Sequence, residues 1–392
     1  MRQGGRPAGR PAAGALFRQR RDDRPCRAGT LRGGAGGRAR RAGPATLAAG
    51  RDRRAAGRLR PARGEGVSRI AVIGGGAWGT ALAAAEARAG RPTVLWARDP
   101  DVAAAIRRTG RNERFLPGID LPAGLGATAD LADAVRDATL ALVVVPAQAL
   151  RDVMPALAGA SDGGTPLVLC AKGIERGSGL FPSAVAAEFV DMGRLATLSG
   201  PSFAADVAQG LPTAVTLAAR DEALADALAR QLSAGTFRIY ASTDLAGVEA
   251  GGALKNVLAI AAGIVAGRGL GASAGAAIVT RGLAELRRLG QALGGRPETL
   301  AGLSGLGDLV LTCSGPQSRN FAYGLALGRG EDLTKLKLAE GVFSAAVAAG
   351  LADRHGIDAP IVETVAAILA GQTTIEAAIE ALLSRPLKRE DD

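Results

Sequence analysis

Histidine occurs once in these 392 residues, at His355. A chain with so little imidazole is a poor vehicle for a Ser-His-Asp triad, for histidine-ligated metal or for hydride transfer with a histidine base. His355 precedes Gly356 and reads as the last turn of a helix, where a cation sits well and glycine ends the coil. Cysteine is nearly as scarce: Cys26, Cys170 and Cys313 have no metal-type spacing and give no disulfide framework, which fits a reducing compartment. No metal site is expected. Long apolar runs are missing as well. The stretch after Lys255, Val257–Gly267, is about half of the ~20 residues a membrane crossing needs. The N-terminus has no apolar segment of the secretory type.

Lysine is the most telling scarcity. The chain has 43 arginines and five lysines: Lys172, Lys255, Lys335, Lys337 and Lys388. Two of them lie in apolar, glycine-flanked stretches, Val168-Leu-Cys-Ala-Lys172-Gly173 and Gly251-Gly-Ala-Leu-Lys255-Asn-Val-Leu-Ala-Ile260. Arginine stays charged in practice, whereas a desolvated lysine can lose its proton near neutral pH. Lysine at such places points to proton transfer or to a compact cation facing an anion. The plain alternative is a stem lying along a helix with its amine in solvent.

The net charge of +11 is unevenly placed. Residues 1–66 hold 18 arginines and four acids, a balance of +14, so everything from Val67 onward carries −3. The body therefore gives no electrostatic case for nucleic acid. The first 66 residues are rich in Arg, Gly, Ala and Pro without apolar periodicity, and are expected to be disordered. As a nucleic-acid-binding arm they would offer one aromatic, Phe17; as a mitochondrial transit peptide they would lack serine. A third reading is that this extension is not native and that translation starts at Val67, just ahead of the apolar run Ser68–Ile73. Intact-mass measurement from the native host decides it.

From Ser68 to about Tyr240, apolar runs alternate with helical patterns. Arg69–Ile73, Thr93–Ala97, Leu140–Val145, Leu167–Ala171, Leu195–Leu198 and Ala214–Leu217 read as buried strands. Trp78–Ala89, Ala129–Asp137 and Glu222–Ser233 read as helices. Such alternation predicts an α/β, Rossmann-like dinucleotide-binding domain over residues 67–240, with a mostly parallel sheet. After about Ala241 helical spacing takes over, in Leu245–Ala266, Ala274–Leu293, Asn320–Leu327, Val342–Arg354, Ile361–Leu369 and Thr374–Leu382. An all-α C-terminal domain over residues 241–385 follows, with a polar tail over 386–392 and a substrate cleft between the two domains.

Ile70-Ala-Val-Ile-Gly74-Gly-Gly76-Ala77-Trp78-Gly79 is strand, glycine turn and helix start. Gly74, Gly76 and Gly79 have the spacing that allows a tight turn, close approach to a pyrophosphate and close helix–strand packing, with the phosphates on the helix N-terminus. The ribose-binding acid is expected about 20 residues further on. There the chain reads Arg98-Asp99. A guanidinium can pair with a 2′-phosphate, so Arg98 favours NADP over NAD, while Asp99 keeps NAD open.

Over about Ser68–Leu383 the chain resembles the bacterial NAD(P)-dependent glycerol-3-phosphate dehydrogenases. The matching elements are Gly74-Gly-Gly-Ala-Trp-Gly79, Phe115-Leu-Pro117, Val143-Val-Val-Pro146, Ala171-Lys-Gly173, Ser199-Gly-Pro-Ser-Phe-Ala204, Gly252-Ala-Leu-Lys-Asn-Val257, Thr280-Arg-Gly-Leu-Ala-Glu285, Gly305-Leu-Gly-Asp-Leu-Val-Leu-Thr-Cys313 and Ser318-Arg-Asn320. The resemblance implies reduction of dihydroxyacetone phosphate to sn-glycerol 3-phosphate for phospholipid synthesis, in a cytoplasmic homodimer that binds no nucleic acid or membrane. It implies Lys255 as proton donor and acceptor and Lys172 as a second active-site cation touching substrate and cofactor. Asp308, Thr312 and Asn256 would orient the lysine and the hydroxyls. Gly200, Ser202, Ser318, Arg319 and Asn320 would contact the substrate. Ala204, Arg319, Leu338 and Glu340 would join Gly74, Gly76, Ala77, Trp78, Gly79 and Arg98 at the cofactor. Arg319 suits a phosphate because its guanidinium donates two parallel hydrogen bonds.

The chain departs from the family pattern after the lysine helix, where Ala266, Ser273 and Gly275 replace an acid, an asparagine and an arginine. Two other readings stay open: a two-domain ketone reductase of the ketopantoate type, and a non-catalytic protein binding NADP or nucleic acid.

Overall fold

Apolar runs without alternation suit strands covered on both faces. The described residues, 69–336, 339–386 and 389, follow that rule in this computed structural model. The extension over residues 1–66 and Leu338 lie outside the described residues. The described residues form ten strands: β1 (Arg69–Ile73), β2 (Thr93–Trp96), β3 (Arg111–Asn112), β4 (Leu116–Asp120), β5 (Gly126–Thr128), β6 (Ala138–Val143), β7 (Leu167–Leu169), β8 (Leu195–Ser199), β9 (Thr213–Ala219) and β10 (Phe237–Ser242). Eight build one sheet in the order β10-β9-β8-β7-β6-β1-β2-β5, parallel except between β8 and β9. β3 and β4 pair apart from it, antiparallel.

Successive side chains of a strand point to opposite faces, so each central strand feeds two cores. Ile70 and Val72 pack with Leu82, Leu95 and Leu228 on one face. Ala71 and Ile73 pack with Met154, Leu157 and Leu169 on the other. The covering helices are α1 (Ala77–Arg88), α2 (Pro100–Thr109), α3 (Leu131–Val135), α4 (Leu150–Ala160), α5 (Pro182–Ala186), α6 (Ala204–Gln209) and α7 (Glu222–Leu232).

From Leu245 onward the described chain is helical: α8 (Leu245–Gly267), α9 (Gly271–Ala292), α10 (Pro297–Leu300), α11 (Asp308–Cys313), α12 (Arg319–Arg329), α13 (Glu340–His355), α14 (Pro360–Leu369) and α15 (Ile375–Leu383). His355 closes α13 ahead of Gly356, whose φ of 62° is left-handed, as its sequence context requires. α8 is apolar on every side and buried almost throughout, the pattern of a helix at the centre of a core. It meets α12 backbone to backbone: a Cβ on Gly324 would overlap the Ile260 carbonyl, and one on Gly263 would overlap that of Phe321.

Three points differ from the sequence expectation. By length and composition α8 qualifies as a membrane-crossing helix, because it starts ten residues before Lys255, but most of it is buried inside the protein. β3, β4 and β5 were not expected; they are two to five residues long, and Pro117 and Gly118 disguise β4. β10 was also hidden. Its exposed Arg238, Tyr240 and Ala241 mark an edge strand rather than a buried run.

Candidate active site

The sheet order places β1 between β2 and β6, with the chain leaving β1 to one side and returning on the other. Ligands of such sheets bind beyond the carboxyl ends of the strands at that switch. Four motif segments leave the sheet there. Gly74 follows β1, Arg98 follows β2, Lys172 follows β7 and Gly200 follows β8. Gly74 has a φ of 133°, and a Cβ there would overlap the Val144 carbonyl, so only glycine permits this turn. α1 starts at Ala77, one residue earlier than the sequence implies, with Gly76 as its N-cap. Its amino end faces the turn, and the Trp78 Nε1 beside it is buried without a hydrogen-bond partner among the described residues. This cradle of glycines, free N–H groups and helix terminus fits the pyrophosphate of NAD(P).

At Lys172, which leaves the same end of the sheet, α8 and α11 supply a buried ion cluster. Lys255 Nζ donates to Asp308 Oδ1 and, at 2.9 Å, to Thr312 Oγ1. The Thr312 hydroxyl spends its own proton on the Asp308 carbonyl at 2.6 Å, which leaves its lone pairs for the lysine. Asp308 Oδ2 accepts from Lys172 Nζ at 2.8 Å, and Lys172 also donates to Gly200 O at 2.9 Å. One carboxylate thus holds two ammonium groups. Side-chain exposure grades outward, from 2% at Asp308 and 7% at Lys255 to 17% at Lys172. A π-helical turn, Leu303–Gly307, delivers Asp308 to this position; such turns are frequent at functional sites.

The electrostatics follow from burial and charge. Burial pushes the Lys255 ammonium down to about 7; Asp308 opposes this shift and Lys172 adds to it. Burial works against ionisation of Asp308, but the two lysines outweigh it and keep its carboxyl below the usual range. Burial raises the Glu340 carboxyl, against the nearby Arg319 charge.

A second chain of hydrogen bonds runs through amides. Asn256 Nδ2 donates to the Lys172 carbonyl at 2.9 Å, Asn320 Nδ2 donates to Asn256 Oδ1 at 2.9 Å, and Gly341 N donates to Asn320 Oδ1 at 2.8 Å. The loop carrying Lys172 is thereby tied to α8, α12 and the start of α13. Ser318 caps α12 through Phe321 N, and Arg319 stands exposed at the first position of that helix. Ser202 donates to Gly200 O at 3.1 Å, and Ala204 opens α6. Glu340 opens α13; its Oε2 has no hydrogen-bond partner among the described residues and lies 3.2 Å from where a Gly173 Cβ would stand.

Lys172, Lys255, Asn256, Asp308, Thr312, Asn320, Ser202 and Gly200 are therefore linked into one network. Arg98 stands apart from it, exposed after β2. The departures at Ala266, Ser273 and Gly275 fall at the far end of α8 and the start of α9. At 1.5 Å rise per residue, Ala266 is about 16 Å along the helix from Lys255. Sequence reasoning missed Asn112, whose side chain donates to Gly75 O at 3.0 Å and Thr80 Oγ1 at 2.7 Å and so braces the glycine turn. A lone asparagine in a loop carries no spacing signal. Sequence reasoning also passed over Glu249, although an acid within the apolar start of α8 was visible.

Comparison with known proteins agrees with this geometry. The family model described as NAD-dependent glycerol-3-phosphate dehydrogenase N-terminus matches residues 69–225, and its C-terminus counterpart matches residues 244–380. The glycerol-3-phosphate dehydrogenase (NAD(P)+) of Mesorhizobium japonicum is 60% identical over 322 residues, 82% of this chain and 94% of that protein. The protein of the same description from Brucella canis is 58% identical over 324 residues, 83% of this chain and 99% of its own length. The crystal structure of glycerol-3-phosphate dehydrogenase from Coxiella burnetii superposes with a TM-score of 0.77 at 40% identity, covering 81% of this chain and 99% of that one. The chain belongs to the NAD-dependent glycerol-3-phosphate dehydrogenase family.

Proposed function

We propose that the protein catalyses the reversible reduction of dihydroxyacetone phosphate to sn-glycerol 3-phosphate with NAD(P)H. The observation that carries this reading is the pair of lysine ammonium groups on the two oxygens of one buried carboxylate. When bound, the nicotinamide supplies a hydride to C2 of the ketone. Lys255 supplies the proton to the oxygen that becomes negative, and with its pKa held near 7 it can also take that proton back. Asp308 and Thr312 hold the Lys255 amine in place. Lys172, the more exposed cation, stabilises the developing alkoxide. Asn256 fixes the loop that carries Lys172.

Arg319 and the first N–H groups of α12 are suited to the substrate phosphate, since the guanidinium is exposed and has no ion pair among the described residues. Glu340 reaches the cofactor from α13. Asn320 keeps one amide hydrogen for substrate beyond the bond it gives Asn256. Family models along both halves of the described chain favour this reading over a ketopantoate-type reductase or a non-catalytic binding protein.

In the same reading residues 67–240 and 241–385 act as cofactor and substrate domains. The product serves phospholipid synthesis, and the enzyme works as a cytoplasmic homodimer without nucleic acid or membrane. The unpaired Cys170 and Cys313 support a reducing compartment. Turnover of dihydroxyacetone phosphate but not of dihydroxyacetone or ketopantoate tests the assignment; equal turnover of the unphosphorylated ketone would remove the phosphate site from it.

A further inference from the structure

Where the second strand of a dinucleotide-binding sheet ends, the adenosine ribose is gripped and the choice between NADH and NADPH is made. β2 ends at Trp96, and Ala97, Arg98 and Asp99 follow. A free carboxylate there accepts hydrogen bonds from the ribose and repels a 2′-phosphate. Asp99 is not free. Its Oδ1 accepts from Asp101 N at 2.9 Å and caps α2, and its Oδ2 is ion-paired with Arg114. The Asp101 N–H and then Arg114 hold its carboxyl below the usual range, so its charge is present but already answered.

Arg114 arrives from the connection between β3 and β4, and the sequence gives no hint that it belongs here. Asn112 explains it. Its buried side chain, 2% exposed, bonds to Gly75 O and Thr80 Oγ1, which fastens the segment to the glycine turn and the first turn of α1. Two residues on, the Arg114 guanidinium lies 5.2 Å from the ring centre of Phe115 and remains largely open to solvent. Arg98 is exposed and has no ion-pair partner among the described residues. Two arginines therefore flank Asp99, one of them neutralising it.

We propose that Arg114 is a specificity-determining residue, which withdraws Asp99 from the ribose and, with Arg98, forms the cationic site for a 2′-phosphate. The protein then selects NADPH over NADH because Arg114 converts an NAD-type position into an NADP-type one. This deepens the dehydrogenase reading and rests on it for the place of the cofactor.

The two tryptophans of the chain, Trp78 and Trp96, both lie at the cofactor turn, so their fluorescence reports cofactor binding without turnover. Titrations of the full chain with NADPH and with NADH are the experiment. Arg114→Ala should weaken NADPH roughly tenfold, the loss of one charge-assisted contact. The same change should tighten NADH about two- to fivefold, because Asp99 becomes available to the ribose. Arg114→Ala combined with Asp99→Asn should keep the NADPH loss and erase the NADH gain, since asparagine still caps α2. Arg114→Lys should retain part of the preference. Arg114→Ala weakening both cofactors alike, or neither, would overturn the proposal. Should the wild-type protein bind cofactor yet leave dihydroxyacetone phosphate unreduced, the dehydrogenase reading fails and these titrations still decide the role of Arg114.

Discussion

Asn320 holds Asn256 side chain to side chain at 2.9 Å across 64 positions of sequence, and both are buried. The contact joins α12 to α8, and through the Lys172 carbonyl on one side and Gly341 N on the other it links the Lys172 loop to the start of α13. A chain of this kind should act as a unit. Asn256→Ala and Asn320→Ala should each lower kcat, and the double variant should lose about 1 kcal/mol less than the sum of the singles. Strict additivity would mean that the two amides work independently.

Lys255 sets the pH dependence. Its folded pKa is depressed to about 7 from 10.5, so the protonated donor is present below about 7 and is lost as pH rises through it. Ketone reduction should therefore be flat below about 7 and fall above it, while glycerol 3-phosphate oxidation, which needs the neutral amine, should rise over the same interval. Asp308→Asn removes the charge that opposes the depression, so both limbs should move to lower pH. Lys255→Ala should lose roughly 10²–10⁴ in kcat, and Lys255→Arg should restore little because arginine does not give up its proton. pH–rate profiles in both directions check these signs.

Arg319 is exposed at the start of α12. Arg319→Ala should raise KM for the phosphorylated ketone far more than it lowers kcat, the signature of binding shared by ground and transition states. An unchanged KM would put the phosphate elsewhere.

Glu249 belongs to α8 and caps α5 from a buried position, accepting from Ser183 N at 2.8 Å and Ser183 Oγ at 2.5 Å. Burial raises its carboxyl to about 7 from 4.5. A group raised on folding stabilises fully below its unfolded pKa and loses that contribution as pH climbs through the folded one. Between pH 5 and pH 8 this amounts to about 2–3 kcal/mol. Glu249→Gln keeps the shape and the bond from Ser183 N, with its amide N–H donating to Ser183 Oγ in place of the accepted bond. It does not titrate, so denaturant melts at the two pH values should differ less for it than for the wild type. An identical pH dependence would exclude Glu249 as a source.

The chemistry of the site was legible because it depends on residue types that the chain otherwise avoids. In a sequence that uses arginine nearly everywhere, Lys172 and Lys255 stand out, and the structure brings both to Asp308. The glycine turn was legible because its spacing is dictated by backbone overlap. What stayed hidden depends on partners distant in sequence. Asn112 acts on Gly75 and Thr80, and Arg114 on Asp99, from a connection whose strands are too short to show a period. The helix over Leu245–Ala266 was legible from its spacing, but its apolar length was undercounted by starting after Lys255, although the apolar character continues on both sides of that charge.

The most direct test of the central claim is initial-rate NADPH oxidation by wild type and Lys255→Ala, with dihydroxyacetone phosphate and with unphosphorylated dihydroxyacetone. Turnover by the wild type with the phosphorylated ketone alone, nearly abolished in Lys255→Ala, is the result expected from a buried lysine proton donor beside a phosphate site. Undiminished turnover in Lys255→Ala, or equal rates with the two ketones, would contradict it.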